Sequence, residues 1–179
     1  MNIYFPLLGF NKSGGVSVLV NIVNHFAEVG YSVSVGIPDY NSIVYYQLGE
    51  NVDVKIVRTF GNKMLKKIVY FIRQVVIISR CDIVYATSYK TTYYIVISKL
   101  IFFWRTIRIV YLIQHYEPLS QVRYGNDYGK FTKKLMYYLA ELTYRFGFEM
   151  IAVSGWIKKM IGNETIKVIP CGINLDIYN

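Results

Sequence analysis

Residues 2–37 read NIYFPLLGFNKSGGVSVLVNIVNHFAEVGYSVSVGI, and the fold turns on their pattern. Asn2–Leu8 is a short apolar run, the form a buried strand takes. Asn11–Gly15 is a loop containing glycine. In Val16–Val29, Val16, Val20, Val23 and Ala27 recur at helical spacing, with Leu19, Ile22 and Phe26 beside them. Gly30 then closes the segment as a C-cap. Tyr31–Ile37 is β-branched and apolar, a second strand, and Pro38 ends it. The order is strand, helix, strand.

Outward from there the same order repeats. Val52–Val57 reads as a third strand. Asn62–Ser79 reads as a helix with Lys63, Lys66, Lys67 and Arg73 on its wetter side. Asp82–Ala86 is a strand, Tyr89–Trp104 a helix despite its β-branched residues, and Ile107–Ile113 a strand. Gln114–Gly129 is expected to be a long polar and aromatic loop. Lys130–Phe146 is the clearest amphipathic helix. Glu149–Val153 is a strand, Gly155–Ile161 a short helix, and Lys167–Ile169 a last strand before Pro170-Cys171-Gly172. Alternating strands and helices predict an α/β fold: a Rossmann-like, doubly wound parallel sheet with helices on both faces and right-handed crossovers. The strands are continuous apolar runs, as strands buried on both faces are. No internal repeat, low-complexity tract or linker divides the chain, so one domain is expected over residues 1–179.

Composition narrows the function classes. At 179 residues and 54% apolar, the chain can bury a sizeable core and is not disordered. Its net charge of +9, from 20 Lys and Arg against 11 Asp and Glu, favours anionic partners without choosing among them. Cys81 and Cys171 stand far apart with no CxxC, against both a disulfide framework and a zinc site, and suit a reducing compartment. The start lacks the basic region of a signal peptide. Thr91–Gln114, the densest apolar stretch, is broken by Lys99, Arg105 and Arg108, so it does not read as a membrane span. A soluble or peripherally bound cytoplasmic protein is expected. Neither a dinucleotide-type G-x-G-x-x-G nor a Walker loop is present.

Four stretches together resemble the N-terminal half of the family 4 glycosyltransferases, which have the GT-B fold. They are Phe5–Val20 with Ser13-Gly14-Gly15-Val16; Cys81–Ser88, a strand that delivers Asp82 and ends in a small polar turn; Tyr111–Pro118 with Gln114-His115-Tyr116-Glu117; and Ile151–Ile157 followed by Lys167–Asn174. The last pair is the most specific. In the family a strand ending in serine precedes a short helix, and a Pro-Asn-Gly-Val-Asp turn leads to the second domain. Here Cys171 replaces the usual Asn and Asn174 the usual Asp, departures that bear on the turn's polar contacts and not on the fold. The Gln-His-Tyr-Glu-Pro stretch and Ala140–Tyr144 resemble a rhamnosyltransferase-type branch. The resemblance covers nearly the whole chain but half of the expected enzyme, and it implies that a C-terminal donor-binding domain is missing.

The resemblance implies a retaining, metal-independent transfer with no cofactor, in which a nucleotide-sugar donor is substrate and the acceptor is a glycan or lipid-linked molecule of a bacterial surface polysaccharide. Such a reaction must stabilise a departing diphosphate and hold an acceptor hydroxyl close. Gly14 and Gly15, after the first strand and at a helix start, suit contact with the diphosphate or the acceptor, or form an ordinary tight turn. His115 follows a strand at the edge where ligands bind in open α/β sheets. Its imidazole can hydrogen-bond a sugar hydroxyl or offset diphosphate charge, or be a loop histidine bonded to backbone. Glu117 can accept from an acceptor hydroxyl, orient His115, or be a solvated loop carboxylate. Ser88 and Tyr89 end another strand and point to the same cleft, as does Ser154, for which N-capping is favoured. Arg123 and Tyr124, with Gln121 and Asn126–Tyr128, suit an aromatic acceptor loop.

His25 lies mid-helix and is read as structural. Basic residues interleaved with aromatics can seat the domain on an anionic membrane surface at the inner face of the plasma membrane, or be a solvated face. The competing class is a non-catalytic binding module, truncated or split from its donor domain. A nucleic-acid binder ranks last for want of any motif.

Overall fold

The computed structural model describes residues 1–124 and 129–172, with only the backbone described over 121–124. Apolar runs form seven strands: β1 (Asn2–Pro6), β2 (Ser32–Pro38), β3 (Val52–Val57), β4 (Ile83–Ala86), β5 (Arg108–Ile113), β6 (Glu149–Ala152) and β7 (Lys167–Val168). They pair in the order β3-β2-β1-β4-β5-β6-β7, and every pairing is parallel. Between them run α1 (Gly14–Glu28), α2 (Lys63–Ile78), α3 (Tyr89–Ile101), α4 (Glu117–Tyr124), α5 (Lys130–Thr143) and α6 (Gly155–Ile161).

Alternation along each strand sends neighbours to opposite faces, and the core divides accordingly. Tyr4, Tyr111 and Ile113 pack with Ile78 of α2, Ile95 of α3, Tyr144 beyond α5 and Ile157 of α6. Phe5, Val35, Val110 and Leu112 point the other way, onto Leu19, Val20 and Val23 of α1. The doubly wound parallel sheet expected from the sequence is therefore present. The two faces are unequal, because α1 is the helix that packs on the second cluster while α2, α3, α4 and α6, with Tyr144 just beyond α5, meet at the first.

Two elements depart from expectation: a single 3-10 turn at Asp39–Asn41, and α4. Gln114–Gly129 is not a continuous loop, since α4 occupies Glu117–Tyr124. Pro118, which reads as a breaker, sits in the first turn, where an N–H has no helical partner in any case. Leu119 and the buried Tyr116 anchor the segment on the core. Other differences are of one to three residues at element ends. The first strand stops at Pro6, α1 begins at Gly14 because Ser13 caps it, and α3 stops at Ile101.

Strand order reverses between β1 and β4. Loops leaving the two strands part there, and the crevice beyond their carboxyl ends is where open α/β sheets bind ligands.

Candidate functional site

At the first of these loops Ser13 caps α1, its Oγ accepting from the Val16 N–H at 3.4 Å, and Tyr46 Oη donates to the Ser13 carbonyl at 2.9 Å. The glycines that follow differ in kind. A Cβ on Gly14 would meet nothing within 4 Å, so its backbone faces open space. A Cβ on Gly15 would lie 2.3 Å from Gln114 Oε1. That amide fills the place a side chain would take, and its Nε2 donates to the Gly15 carbonyl at 3.0 Å, tying the end of β5 to the first turn of α1. The need for glycine at 15 is thus a packing need inside the protein. A double-mutant cycle of Gly15→Ala and Gln114→Ala, read by urea unfolding, is expected to give a coupling of about 1 kcal/mol, since either change alone breaks the tie. Strict additivity would show that the amide does not require the glycine.

At the second loop Ser88 and Thr91 form a reciprocal capping box on α3, with Thr91 N to Ser88 Oγ at 3.3 Å and Ser88 N to Thr91 Oγ1 at 3.0 Å. Thr87 Oγ1 donates to the Pro6 carbonyl at 3.2 Å and bridges the two loops. The Tyr89 N–H donates to both carboxylate oxygens of Glu117, at 3.0 and 2.8 Å, and Tyr111 Oη donates to Oε1 at 3.1 Å.

Two expectations are corrected here. Glu117 is only 4% exposed, so it is neither a solvated loop carboxylate nor open to an acceptor hydroxyl, and its partners are Tyr89 and Tyr111, not His115. The Tyr89 side chain is likewise buried and does not open on the cleft. The physical reason is α4, which turns the segment inward and delivers a carboxylate to the N-terminus of α3, where the helix dipole favours negative charge. Burial nonetheless dominates the carboxyl group, pushing its pKa up to about 7 against the Tyr89 N–H and Tyr111 hydroxyl that favour the ionised form.

His115, directly after β5, is exposed, with Nε2 3.5 Å from Ser120 Oγ. Partial desolvation lowers its pKa from the ordinary 6.5, so the ring is neutral at neutral pH. Ser154 follows β6 and caps α6, accepting from Ile157 N at 3.4 Å, the role favoured for it from the sequence. Arg123 and Tyr124 fall within α4, but their side chains, like all of Asn126–Tyr128 and Asn174, lie outside the described residues.

Gly14, Gly15, Ser88, His115 and Ser154 therefore all follow strand carboxyl ends on one edge, with the Tyr89 backbone beside them. The N-termini of α1 and α3 both face that edge. That of α3 is already engaged by Glu117, whereas α1 has no acidic residue in its first turn. Of these two, the α1 end is the one free to face an anion.

Sequence reasoning missed Gln114, Tyr111 and Tyr46. Gln114 stood beside His115 in the quoted motif but carried no signal of its partner 99 positions away. A cavity of about 540 Å³ lies elsewhere, between α1 and β4–β6, walled by Ile22, Phe26, Tyr85, Leu112 and Ile151. Its lining is mainly apolar, with Asn21 and His25 contributing polar side chains from α1. Among the described residues no cluster of three or more His, Cys, Asp or Glu suits a metal ion, and no helix is long and apolar enough to cross a membrane. Both cysteines are free.

An open, all-parallel sheet with helices on both faces defines an α/β domain of the doubly wound class. The family model described as Glycosyltransferase Family 4 matches residues 12–177, and the chain belongs to that family. HepE of Anabaena, solved in complex with UDP-glucose, is similar to 99% of this chain at 18% identity and a TM-score of 0.64. WaaG, a glycosyltransferase involved in lipopolysaccharide biosynthesis, matches 97% at 14% identity and TM-score 0.57. The lipopolysaccharide outer core galactosyltransferase WaaB matches 97% at 14% identity and TM-score 0.56. In each case the chain spans 46% of the other's length. These likenesses establish the fold, the N-terminal half of GT-B. No curated protein sequence matches the chain.

Proposed function

We propose that residues 1–179 form the acceptor-side, N-terminal domain of a retaining glycosyltransferase that moves a sugar from a nucleotide-sugar donor to a glycan or lipid-linked acceptor in cell-surface polysaccharide synthesis, with no resident metal or cofactor. The observation that carries this reading is the shared edge: the open first turn of α1 at Gly14 and the neutral, exposed His115 both follow strand carboxyl ends beside the switch point. Backbone N–H groups and the dipole of α1 oppose the charge gathering on a departing diphosphate. A neutral imidazole can accept from, or donate to, a sugar hydroxyl without a proton changing hands beforehand. Ser88 and Glu117 support this edge from within, by holding the start of α3. HepE's complex with UDP-glucose and the lipopolysaccharide role of WaaG support a nucleotide-sugar donor and a surface glycan acceptor.

Donor binding is assigned to a second domain, because the chain spans under half of the solved relatives. The test compares nucleoside diphosphate release by these 179 residues with release by the same residues joined to a donor domain, over a panel of nucleotide sugars. Release is expected only from the joined protein. Turnover by the 179 residues alone would overturn the division of labour. No turnover by the joined protein, together with retained glycan binding, would favour the non-catalytic module.

A further inference from the structure

We propose that Tyr116 and Glu141 are positioning residues for His115, and that the bond between their side chains fixes the backbone that presents the imidazole. The inference rests on the proposed role of His115 and concerns how that ring is held. His115 is the exposed side chain in the run Gln114–Glu117. Its Nε2 lies 3.5 Å from Ser120 Oγ, longer than an ordinary hydrogen bond, so that contact does not fix the ring. The neighbouring side chains are held instead, each on a different helix. Gln114 Nε2 donates to the Gly15 carbonyl of α1 at 3.0 Å. Tyr116 Oη donates to Glu141 Oε2 of α5 at 2.6 Å. Both oxygens of Glu117 accept from the Tyr89 N–H of α3, and the Glu117 N–H donates to Tyr144 Oη at 3.3 Å. Three anchors thus enclose one exposed side chain, whose Cα–Cβ direction follows from theirs.

Gln114 and Glu117 also bind the first turns of α1 and α3, so their loss would disturb those turns as well. The Tyr116–Glu141 bond touches neither turn and isolates the effect on His115. The Tyr116 ring is buried and stacks on Tyr144, with centroids 6.0 Å apart at 20°, and Tyr144 stacks on Tyr111 of β5 at 5.8 Å and 25°. Stacking sets the plane of the ring but lets it slide, and the hydroxyl bond sets its reach. A phenylalanine would fill the same space, so packing does not call for the oxygen. Burial, reinforced by Glu141, pushes the Tyr116 phenol pKa well above its ordinary value, so the hydroxyl remains a donor. A carboxylate acceptor makes the bond stronger than a neutral one. Glu141 has no comparable task in the fold. It stands in the last turn of α5, where the helix dipole disfavours an acid, and it forms no ion pair within 4 Å among the described residues. A carboxylate kept at an unfavourable helix end, and engaged by one tyrosine hydroxyl beside His115, is accounted for by the placement of that histidine. Hydrogen bonding to a reacting sugar is sensitive to such placement, since a shift of about 1 Å costs on the order of a hundredfold in rate.

Position is read first, without sugar transfer. The chain has two histidines, His25 and His115, so NMR of the imidazole rings resolves each. Tyr116→Phe and Glu141→Ala are each expected to move the His115 ring signals and to raise its pKa toward 6.5, as the loosened ring regains water. The His25 signals should stay in place. Glu141→Gln keeps an acceptor for the Tyr116 hydroxyl and should leave His115 as in wild type. Tyr116→Phe combined with Glu141→Ala should shift His115 no further than either change alone, since the same bond is lost in all three. In the same residues joined to a donor domain, Tyr116→Phe and Glu141→Ala should lower kcat about ten- to a hundredfold, with donor KM within about twofold, and Glu141→Gln should restore the rate. Unchanged His115 signals in Tyr116→Phe and Glu141→Ala overturn the proposal. So does a shift of His25 and His115 together with a lower unfolding temperature, since the pair would then serve the fold at large. Displaced His115 signals with an unchanged rate would uphold the positioning and remove His115 from the proposed reaction, which separates the two readings.

Discussion

Glu117→Gln will remove the pH dependence of stability that the wild-type chain shows between mildly acid and neutral pH. The Glu117 carboxyl is buried, and its folded pKa is pushed up to about 7 from 4.5, chiefly by desolvation. An acid whose pKa rises on folding holds its proton more tightly in the native state. Its stabilising contribution is therefore complete below about 4.5 and is lost as pH rises through about 7. A displacement of that size corresponds to up to about 3 kcal/mol. Glutamine keeps an acceptor for the Tyr89 N–H and has no proton to lose, so the decline that wild type shows as pH rises toward 7 should be absent. It should match wild type at acid pH and exceed it above pH 7. Glu117→Ala should instead be destabilised by about 2 kcal/mol at acid pH, because the Tyr89 N–H and Tyr111 hydroxyl lose their buried acceptor, and the deficit should shrink as wild type loses stability toward pH 7. Urea unfolding from acid to neutral pH reads all three. Parallel curves for Glu117→Gln and wild type would show that the carboxyl titrates no differently when folded.

Glu117 also marks how far the sequence could be read. The central strands are visible as apolar runs because a parallel sheet buries both their faces, and α1, α2 and α5 as periodic stripes because each buries one face. The order of elements then leaves little freedom in topology. What stayed hidden depended on pairings far apart in the chain. Eight residues starting Glu-Pro carry too little periodicity to announce α4, and only packing of Tyr116 and Leu119 on the core settles it. With the helix unread, Glu117 could be placed near the cleft but not inside the protein. The same holds for Gln114, whose partner is Gly15, and for the buried set in which Tyr4 Oη donates to Gln74 and Tyr70 Oη to Leu7 and Gly36.

Positions at strand ends were legible because the edge they occupy follows from topology alone. Which of them are occupied by internal bonds was not. Ser88 and Ser154 spend their side chains on caps and the Tyr89 N–H is taken by Glu117, whereas Gly14 and His115 are exposed. The structure thus separates strand-end candidates engaged in internal bonds from two that are exposed.

Of those two, His115 offers the sharper test. His115→Ala in a full two-domain protein should lower transfer about a hundredfold or more, the range over which a positioned proton-transfer or hydrogen-bonding side chain acts. Stability should hold, since the ring is exposed and its polar neighbour is Ser120 at 3.5 Å. The direction of its pKa gives a second signature. Desolvation lowers it below 6.5, so the neutral imidazole prevails at neutral pH and protonates only on the acid side. If the neutral ring hydrogen-bonds the sugar or acceptor, wild-type kcat/KM should fall below that pKa and level above it. His115→Gln, which keeps a donor and an acceptor but cannot be protonated, should recover part of the rate and lose the acid limb. A full rate in the alanine variant would return His115 to the scaffold and leave the α1 turn at Gly14 as the remaining point of contact. An acid limb that persists in His115→Gln would assign the titration to another group.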